Sequence, residues 1–452
     1  MRLLAIDFGT SNTVAVARGA DGRARPLLFD GTPLLPSAVC LDPAGTPLTG
    51  RDAVRAARLE PARFEPAPKR RIDDGSVLLG DREMPVTELV GAVLRRVTVE
   101  AYRQLGGVDE VRLTHPARWG GRRRGILVDA ARAAGLPPPR LVAEPVAAAA
   151  YYPAVPGTAV PPGRALAVYD LGGGTFDAAV VRRGTAGFDV LAESGLTDLG
   201  GLDFDQALVE HLGRGYAGGR TELWQGLLGP TDPGRRRARE LLYDDVRAAK
   251  ELLSRAASAD LHLPALDLRA HLTRDELESL VRRPLQQTVG CLADTIAAAR
   301  LDPADLVGIF LVGGSSRIPL AARLIHAELG VAPTTLEQPE TVVAEGALRL
   351  DDPPSPPGTP APPRIRAVAA QAAPPPAPVG AGAVPARSGG GSTPLRAGSA
   401  APVRANLSGA DQADPAGRFW TGTSGLVWTG SLALLVVVAL VVLVTVVATG
   451  PG

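Results

Sequence analysis

Short apolar runs bordered by glycine, proline or aspartate recur along the chain at 3–6, 14–17, 111–114, 165–169, 178–181, 188–192 and 307–312. Runs of that length with such borders predict strands. Between them the apolar positions move to the three-and-four spacing of a helix. Leu89, Val93, Leu94 and Val97 share one face of a helix predicted over 87–105, with Thr87 as N-cap and Gly106-Gly107 as its stop. Further helices are predicted over 124–134, from Pro145 through the alanines 147–150, over 202–212 and 235–254, from Pro319 to Leu329, and over 341–350. The stretch 273–300 reads as helix interrupted at Pro284, and the prolines around Lys69 favour a loop or an edge. Strands alternating with helices define an α/β protein.

After residue 350 the pattern changes. Positions 351–418 are dominated by Pro, Ala, Gly and Ser without apolar periodicity, which predicts a disordered or polyproline-rich linker. Such a linker spans roughly 45 Å as a random coil. Positions 426–448 are nearly all Val, Leu and Ala with no charge, about 34 Å long as a helix. That segment is expected to be a transmembrane helix within a membrane anchor over 419–452, with Phe419, Trp420 and Trp428 at the interface. Six arginines of the linker precede it and no charged residue follows Arg418, so residues 1–350 are expected on the cytoplasmic face.

Two of the strand pairs carry the candidate chemistry. Asp170 to Asp177 reads DLGGGTFD between apolar runs, a hairpin whose tip, Gly172-Gly173-Gly174, has no side chains. Glycines allow consecutive amides to face one side and bind an anion. Carboxylates flanking such a tip suit a hydrated divalent cation between protein and phosphate. A lone glycine triplet could equally be a tight turn. The second copy, Asp7-Phe8-Gly9-Thr10-Ser11 between strands at the N-terminus, favours two similar lobes holding a nucleotide between them.

Composition narrows the partners. A formal charge of +1 gives no general attraction to nucleic acid, and two isolated cysteines, Cys40 and Cys291, make neither a disulfide framework nor a zinc site. Of the 48 basic residues only Lys69 and Lys250 are lysine. Survival of a lysine against such a bias points to places that require a compact ammonium, chance being the alternative. Arg247, Lys250, Glu251 and Ser254 share one face of the 235–254 helix, which is either solvated surface or a pocket wall. Gly313-Gly314-Ser315-Ser316-Arg317-Ile318-Pro319, between a strand and a helix start, can set free amides beside a nucleoside.

IDFGTSN at 6–12, EPVAAAA at 144–150, DLGGGTFD at 170–177 and LVGGSSRIP at 311–319 together resemble the nucleotide-binding domain of the seventy-kilodalton heat-shock protein family, the DnaK-type chaperones, over roughly residues 1–350. The resemblance implies a two-lobed, actin-like α/β ATPase fold with duplicated lobes, binding ATP or ADP with Mg2+. It implies that Asp7 and Asp170 orient water around the metal and that Gly9, Thr10, Ser11 and Gly172, Gly173, Gly174 and Thr175 hold phosphates. Lys69 matches the family's catalytic lysine, and Glu144 and Asp177 match carboxylates that position the attacking water or the metal's shell. Lys250, Ser254, Gly314, Ser315, Arg317 and Ile318 match adenosine contacts. Arg247 stands where the family has Glu facing the ribose, and Glu251 replaces a residue that packs near adenine. No interdomain linker or strand-rich peptide-binding domain is legible after residue 350. The expectation is a membrane-tethered, slow, chaperone-like ATPase switch with protein clients or co-chaperones as partners; the rivals are a non-enzymatic ATP-sensing scaffold and an actin-like filament protein.

Overall fold

The computed structural model describes residues 1–350 apart from 186, 231 and 265. The linker expected at 351–418 and the anchor expected at 419–452, with its helix at 426–448, lie outside the described residues. Among the described residues no helix is long and apolar enough to cross a membrane.

The first hairpin pairs β1 (Leu3–Phe8) with β2 (Asn12–Arg18); β1 also runs parallel to β3 (Glu110–His115), and β3 parallel to β4 (Arg140–Ala143). The second half repeats the unit. Strands β5 (Ala165–Leu171) and β6 (Phe176–Arg183) form an antiparallel hairpin, β7 (Phe188–Leu196) continues it, and β8 (Leu306–Val312) runs parallel to β5. Each sheet thus sets a parallel strand beside the first member of a hairpin, which is the duplication expected from the two Asp-bearing motifs. Parallel partners need long crossovers, and the helices supply them. They are α1 (Gly50–Ala57), α2 (Val86–Leu105), α3 (Gly121–Ala133), α4 (Glu144–Tyr151), α5 (Gly201–Tyr216), α6 (Thr221–Leu228), α7 (Pro233–Leu253), α8 (Arg274–Ala298), α9 (Pro319–Leu329) and α10 (Val342–Leu348).

Side chains alternate across a strand, so continuous apolar runs mean burial on both faces. Leu4, Ile6 and Phe8 of β1 join the core made with α2 and α3, while Leu3 and Ala5 join the one made with α10. In β5, Ala167, Tyr169 and Leu171 meet α5, α8 and α9, whereas Leu166 and Val168 meet α4. Each fully buried Leu, Ile or Phe contributes about 1.5–3 kcal/mol. The alanines of α4 serve close approach: a Cβ added to Gly346 of α10 would fall 1.8 Å from the Ala147 carbonyl oxygen. This contact joins the two lobes at their base, since Ala147 packs with β1 and β2 while Ala148 and Ala149 pack with β5 and β8.

Several elements differ from the sequence expectation. Helix α8 runs unbroken through Pro284. A capping box between Thr273 and Glu276 starts it, and Leu277, Val281, Leu285 and Val289 are buried along one face, which outweighs the roughly 3 kcal/mol that an interior proline costs. The segment around Lys69 is a short helical turn, Pro68–Arg71, rather than a loop or edge. Helix α5 extends to Tyr216 and β7 to Leu196, and α1 and α6, eight residues each, lie outside the predicted helices.

Candidate functional site

A cleft of about 940 Å³ is lined by both lobes. Asp7, Gly9, Thr10, Ser11, Lys69, Glu144, Asp170, Gly172, Gly173, Thr175, Asp177, Lys250, Glu251, Ser254, Gly314, Ser315, Arg317 and Ile318 all line it. Gly174, expected among the phosphate-holding residues, does not. Its carbonyl oxygen instead accepts from Arg70 Nη2 at 2.9 Å.

The hairpin tips meet each other. A Cβ on Gly173 would lie 2.2 Å from Ser11 Oγ, and one on Gly174 would lie 2.6 Å from Thr10 Cγ2. The glycines of this tip are therefore required by close approach. None of the three has positive φ, contrary to the reason that made them attractive in the sequence. The carbonyls of Gly172 and Gly173 accept from the Gly201 and Leu202 amides at the start of α5, at 3.0 and 2.8 Å. With the tip's oxygens turned toward α5, the Gly173 and Gly174 amides meet no acceptor among the described residues. Free amides on a backbone that no side chain obstructs are the chemistry of an anion cradle.

Beside the tips stand four carboxylates and one ammonium. Strand β1 delivers Asp7, whose Oδ1 accepts from Thr114 Oγ1 at 2.7 Å. Asp170 and Asp177 lie opposite each other in the β5–β6 register, and Glu144 opens α4 just after β4. Lys69 Nζ donates to Glu144 Oε1 at 2.9 Å, both side chains about nine-tenths buried, and the ammonium lies 5.6 Å above the Trp119 ring. Burial opposes the Lys69 charge, yet Glu144, Asp7 and Asp177 hold its pKa above the ordinary lysine value. Burial, opposed by Lys69 and reinforced by Asp7 and Asp177, pushes the Glu144 carboxyl up to about 7. Burial and the neighbouring Glu144, Asp177 and Asp7 raise Asp170 well above its usual range. So many carboxylates around one ammonium make a site short of positive charge. A hydrated divalent cation fits that deficit. Among the described residues no three His, Cys, Asp or Glu side chains cluster to ligate a metal directly, so such a cation would be held through its water shell.

The far end of the cleft is built on α7. Lys250, expected as an adenosine contact, spends its ammonium on protein: it donates to the Gly201 carbonyl at 2.6 Å and pairs with Asp205 Oδ1 at 2.7 Å. Arg247 Nε reaches Asp205 Oδ2 at 3.4 Å, and Ser254 Oγ bonds weakly back to the Lys250 carbonyl at 3.5 Å. Glu251 is exposed on the same wall. Opposite, Gly313 has φ of 81°, and a Cβ there would meet Asp170 Oδ1 at 2.5 Å. That glycine swings the following turn, 314–317, into the cleft; Arg317 at its end pairs with Glu340 at 3.4 Å.

Sequence reasoning missed Thr114, Trp119, Asp205, Arg118 and Arg70. Arg118 pairs with Asp177 at 2.9 Å, and Arg70 also reaches Asp203 at 3.1 Å, tying the Lys69 turn to the second lobe. Among 46 arginines neither carried a distinguishing signal. Asp205, three residues into the α5 apolar pattern and almost fully buried, did carry one, a carboxylate in a core-facing helix start.

A mixed α/β fold with duplicated lobes, whose hairpins meet over an acidic cleft, belongs to the two-lobed, actin-like class. The chain matches the family model described as Hsp70 protein over residues 69–349, more than half its length, and belongs to that family. It is 31% identical over 357 residues to the "Chaperone protein DnaK" of Thermotoga neapolitana, covering 76% of this chain and 58% of that protein. It is 32% identical over 384 residues to the "Chaperone protein dnaK3" of Synechococcus elongatus, covering 76% of this chain and 49% of that one. The chain thus spans about half the length of the curated relatives it matches.

Proposed function

We propose that residues 1–350 bind ATP with Mg2+ in the cleft and hydrolyse it slowly to ADP and phosphate, as a chaperone-like switch tethered to the cytoplasmic face of a membrane through 426–448. The observation that carries the catalytic part is the convergence of both hairpin tips on the Lys69–Glu144 pair, with Asp7 and Asp170 beside it. The free amide of Gly173, with the Thr10, Ser11 and Thr175 hydroxyls, receives phosphate oxygens. Asp7 and Asp170 hold the metal's water shell, and the metal when bound neutralises phosphate charge and polarises the γ-phosphoryl group.

Lys69 stabilises charge growing on the γ-phosphoryl oxygens, held in place by Glu144 and by the indole face of Trp119. Glu144 and Asp177 orient a water molecule. Its oxygen forms the bond to the γ-phosphorus as the bond to the β–γ bridging oxygen breaks; the electron pair leaves with ADP, and the water's proton passes to a carboxylate. Burial and the adjacent carboxylates raise the Glu144 pKa to about 7, which suits it to take up and release a proton near neutrality. Gly314, Ser315, Arg317 and Ile318 form one wall of the nucleoside pocket, and Glu251 and Ser254 the other. Lys250 supports that second wall from beneath. The uncharged 23-residue segment is the anchor, on the strength of its length and composition alone.

One experiment addresses both parts. The chain cut after Arg418 should stay in the supernatant and bind ATP by calorimetry, at least about tenfold more weakly once Mg2+ is chelated. The whole chain should sediment with membranes. ATP affinity indifferent to chelation would contradict the nucleotide site. A truncated protein that still pellets in high salt would contradict the anchor.

A further inference from the structure

Behind the phosphate end of the cleft lies a second, much smaller cavity of about 10 Å³, lined by Arg118, Glu144, Asp170, Asp177, Glu193 and Ser194 among others. Glu144, Asp170 and Asp177 line the large cleft as well, so these carboxylates form the wall between the two spaces. The space is the size of about one water molecule; most of its exposed wall is apolar, with Pro145, Val168, Ala178 and Ala179 in the lining, and Arg118 and the carboxylates are its polar partners.

Arg118 reaches this wall from the turn after β3, where the Trp119 amide donates to the Pro116 carbonyl at 3.0 Å. Its Nε donates to Asp177 Oδ1 at 2.9 Å, and Nη2 approaches the same oxygen at 2.9 Å. Both contacts fall on Oδ1. The pair is largely sheltered, with side chains 28% and 20% exposed. Opposite Asp177 in the β6–β7 register is Gly195, and a Cβ there would stand 3.0 Å from Arg118 Nη2. The same Cβ would meet the Phe176 carbonyl oxygen at 2.4 Å, so the glycine is required by the β6 backbone first and leaves room for the guanidinium as well.

We infer that Arg118 is a positioning residue for Asp177 and, with Glu144 and Asp170, encloses a site for a single water molecule behind the γ-phosphate position. The inference rests on the ATPase reading of the cleft. A carboxylate surrounded by Glu144, Asp170 and Glu193 is repelled from all of them, and without a cation behind it would swing toward Lys69. The guanidinium fixes Oδ1 at the rear, so Oδ2 stays directed at the cleft, where it orients the attacking water. The enclosed water bridges Arg118 and the acidic wall, keeping the carboxylates solvated once nucleotide has displaced the bulk solvent from the front.

The test uses the whole chain carrying Arg118→Met, which keeps the length and removes the donors, and Arg118→Gln, which keeps one donor. Single-turnover ATP hydrolysis and calorimetric ATP affinity are measured beside Lys69→Ala. The expected result is hydrolysis slowed about 10- to 100-fold in the Met variant and less in the Gln variant, with affinity within about threefold of wild type. A purely structural role would lower affinity and turnover together. If the Met variant does not fold, a loss of turnover confined to the rate in the Gln variant supports the inference and an unchanged rate overturns it. Slow hydrolysis by Lys69→Ala with normal hydrolysis by both Arg118 variants overturns the role of Arg118 alone. Absence of ATP cleavage by wild type overturns the ATPase reading and this inference with it, whereas normal hydrolysis by Lys69→Ala overturns only the role given to Lys69. In a high-resolution crystal structure, ordered water bonded between Arg118 and the carboxylates is expected, and a dry cavity overturns the water site.

Discussion

Gly200 shows what a single missing methyl does in this site. A Cβ on it would meet the Gly173 carbonyl carbon and the Gly174 nitrogen, both at 2.7 Å, and these are backbone atoms that no rotamer change can move. Its φ of −168° is extended backbone open to any residue, so contact alone excludes a side chain. Gly200→Ala should therefore drive α5 off the hairpin tip, destabilising the protein by about 1–3 kcal/mol in urea unfolding and weakening ATP binding. Gly172→Ala is the internal control. The nearest atom to its added Cβ is the Thr175 oxygen at 3.5 Å, ordinary contact, so stability should change by no more than about 0.5 kcal/mol. Equal effects of the two substitutions would contradict the packing account of the tip.

At the scale of elements, α5 and α7 are joined through one carboxylate. Asp205, 1% exposed, receives Lys250 at 2.7 Å and Arg247 at 3.4 Å, and Lys250 also reaches the first residue of α5 through the Gly201 carbonyl. Removing one partner of such a group strands buried charge. Asp205→Ala should cost about 3–5 kcal/mol, read as a lowered urea midpoint with an unchanged slope. A midpoint within error of wild type would mean that this network is solvated surface.

The same elements show what could be read from the chain alone. Both hairpins and the 314–318 turn follow from local signals, apolar runs and glycine tips; scarcity of lysine singles out Lys69, while Glu144 follows from the family resemblance. The continuity of α8 through Pro284 does not, because burial of Leu285 and its neighbours is settled by the second lobe's core. Nor does the Arg118–Asp177 pair, whose members lie 59 positions apart and depend on the β3 turn meeting β6. The sharing of Lys250 between Asp205 and Gly201 was equally hidden. Spacing placed this lysine on the right face, but only the docking of α5 shows that its charge is directed at protein.

Across the whole molecule, the lobes are bridged over the cleft by arginines at both ends. Arg70 spans the hairpin end, and at the rim Arg58 pairs with Asp244 at 3.8 Å while Arg237 Nε donates to the Arg58 carbonyl at 2.6 Å. The Arg58 and Asp244 side chains are substantially exposed, and exposed pairs contribute only about 0–1 kcal/mol. The base of the lobes is different, fixed by the methyl-tight contact of α4 with α10. A cleft joined weakly at the rim and firmly at the base can open to admit nucleotide without unfolding, as a switch requires.

The central claim is that this cleft hydrolyses ATP with Lys69 acting on the transferred phosphoryl group. The most direct measurement is single-turnover hydrolysis of Mg-ATP by wild type, Lys69→Ala and Lys69→Arg, with nucleotide affinity measured in parallel. The account predicts slow turnover by wild type, loss of at least about 100-fold in both variants, and affinity changed by less than about fivefold. Wild-type protein that binds Mg-ATP without cleaving it, or a Lys69→Ala variant that cleaves it at the wild-type rate, would contradict the account.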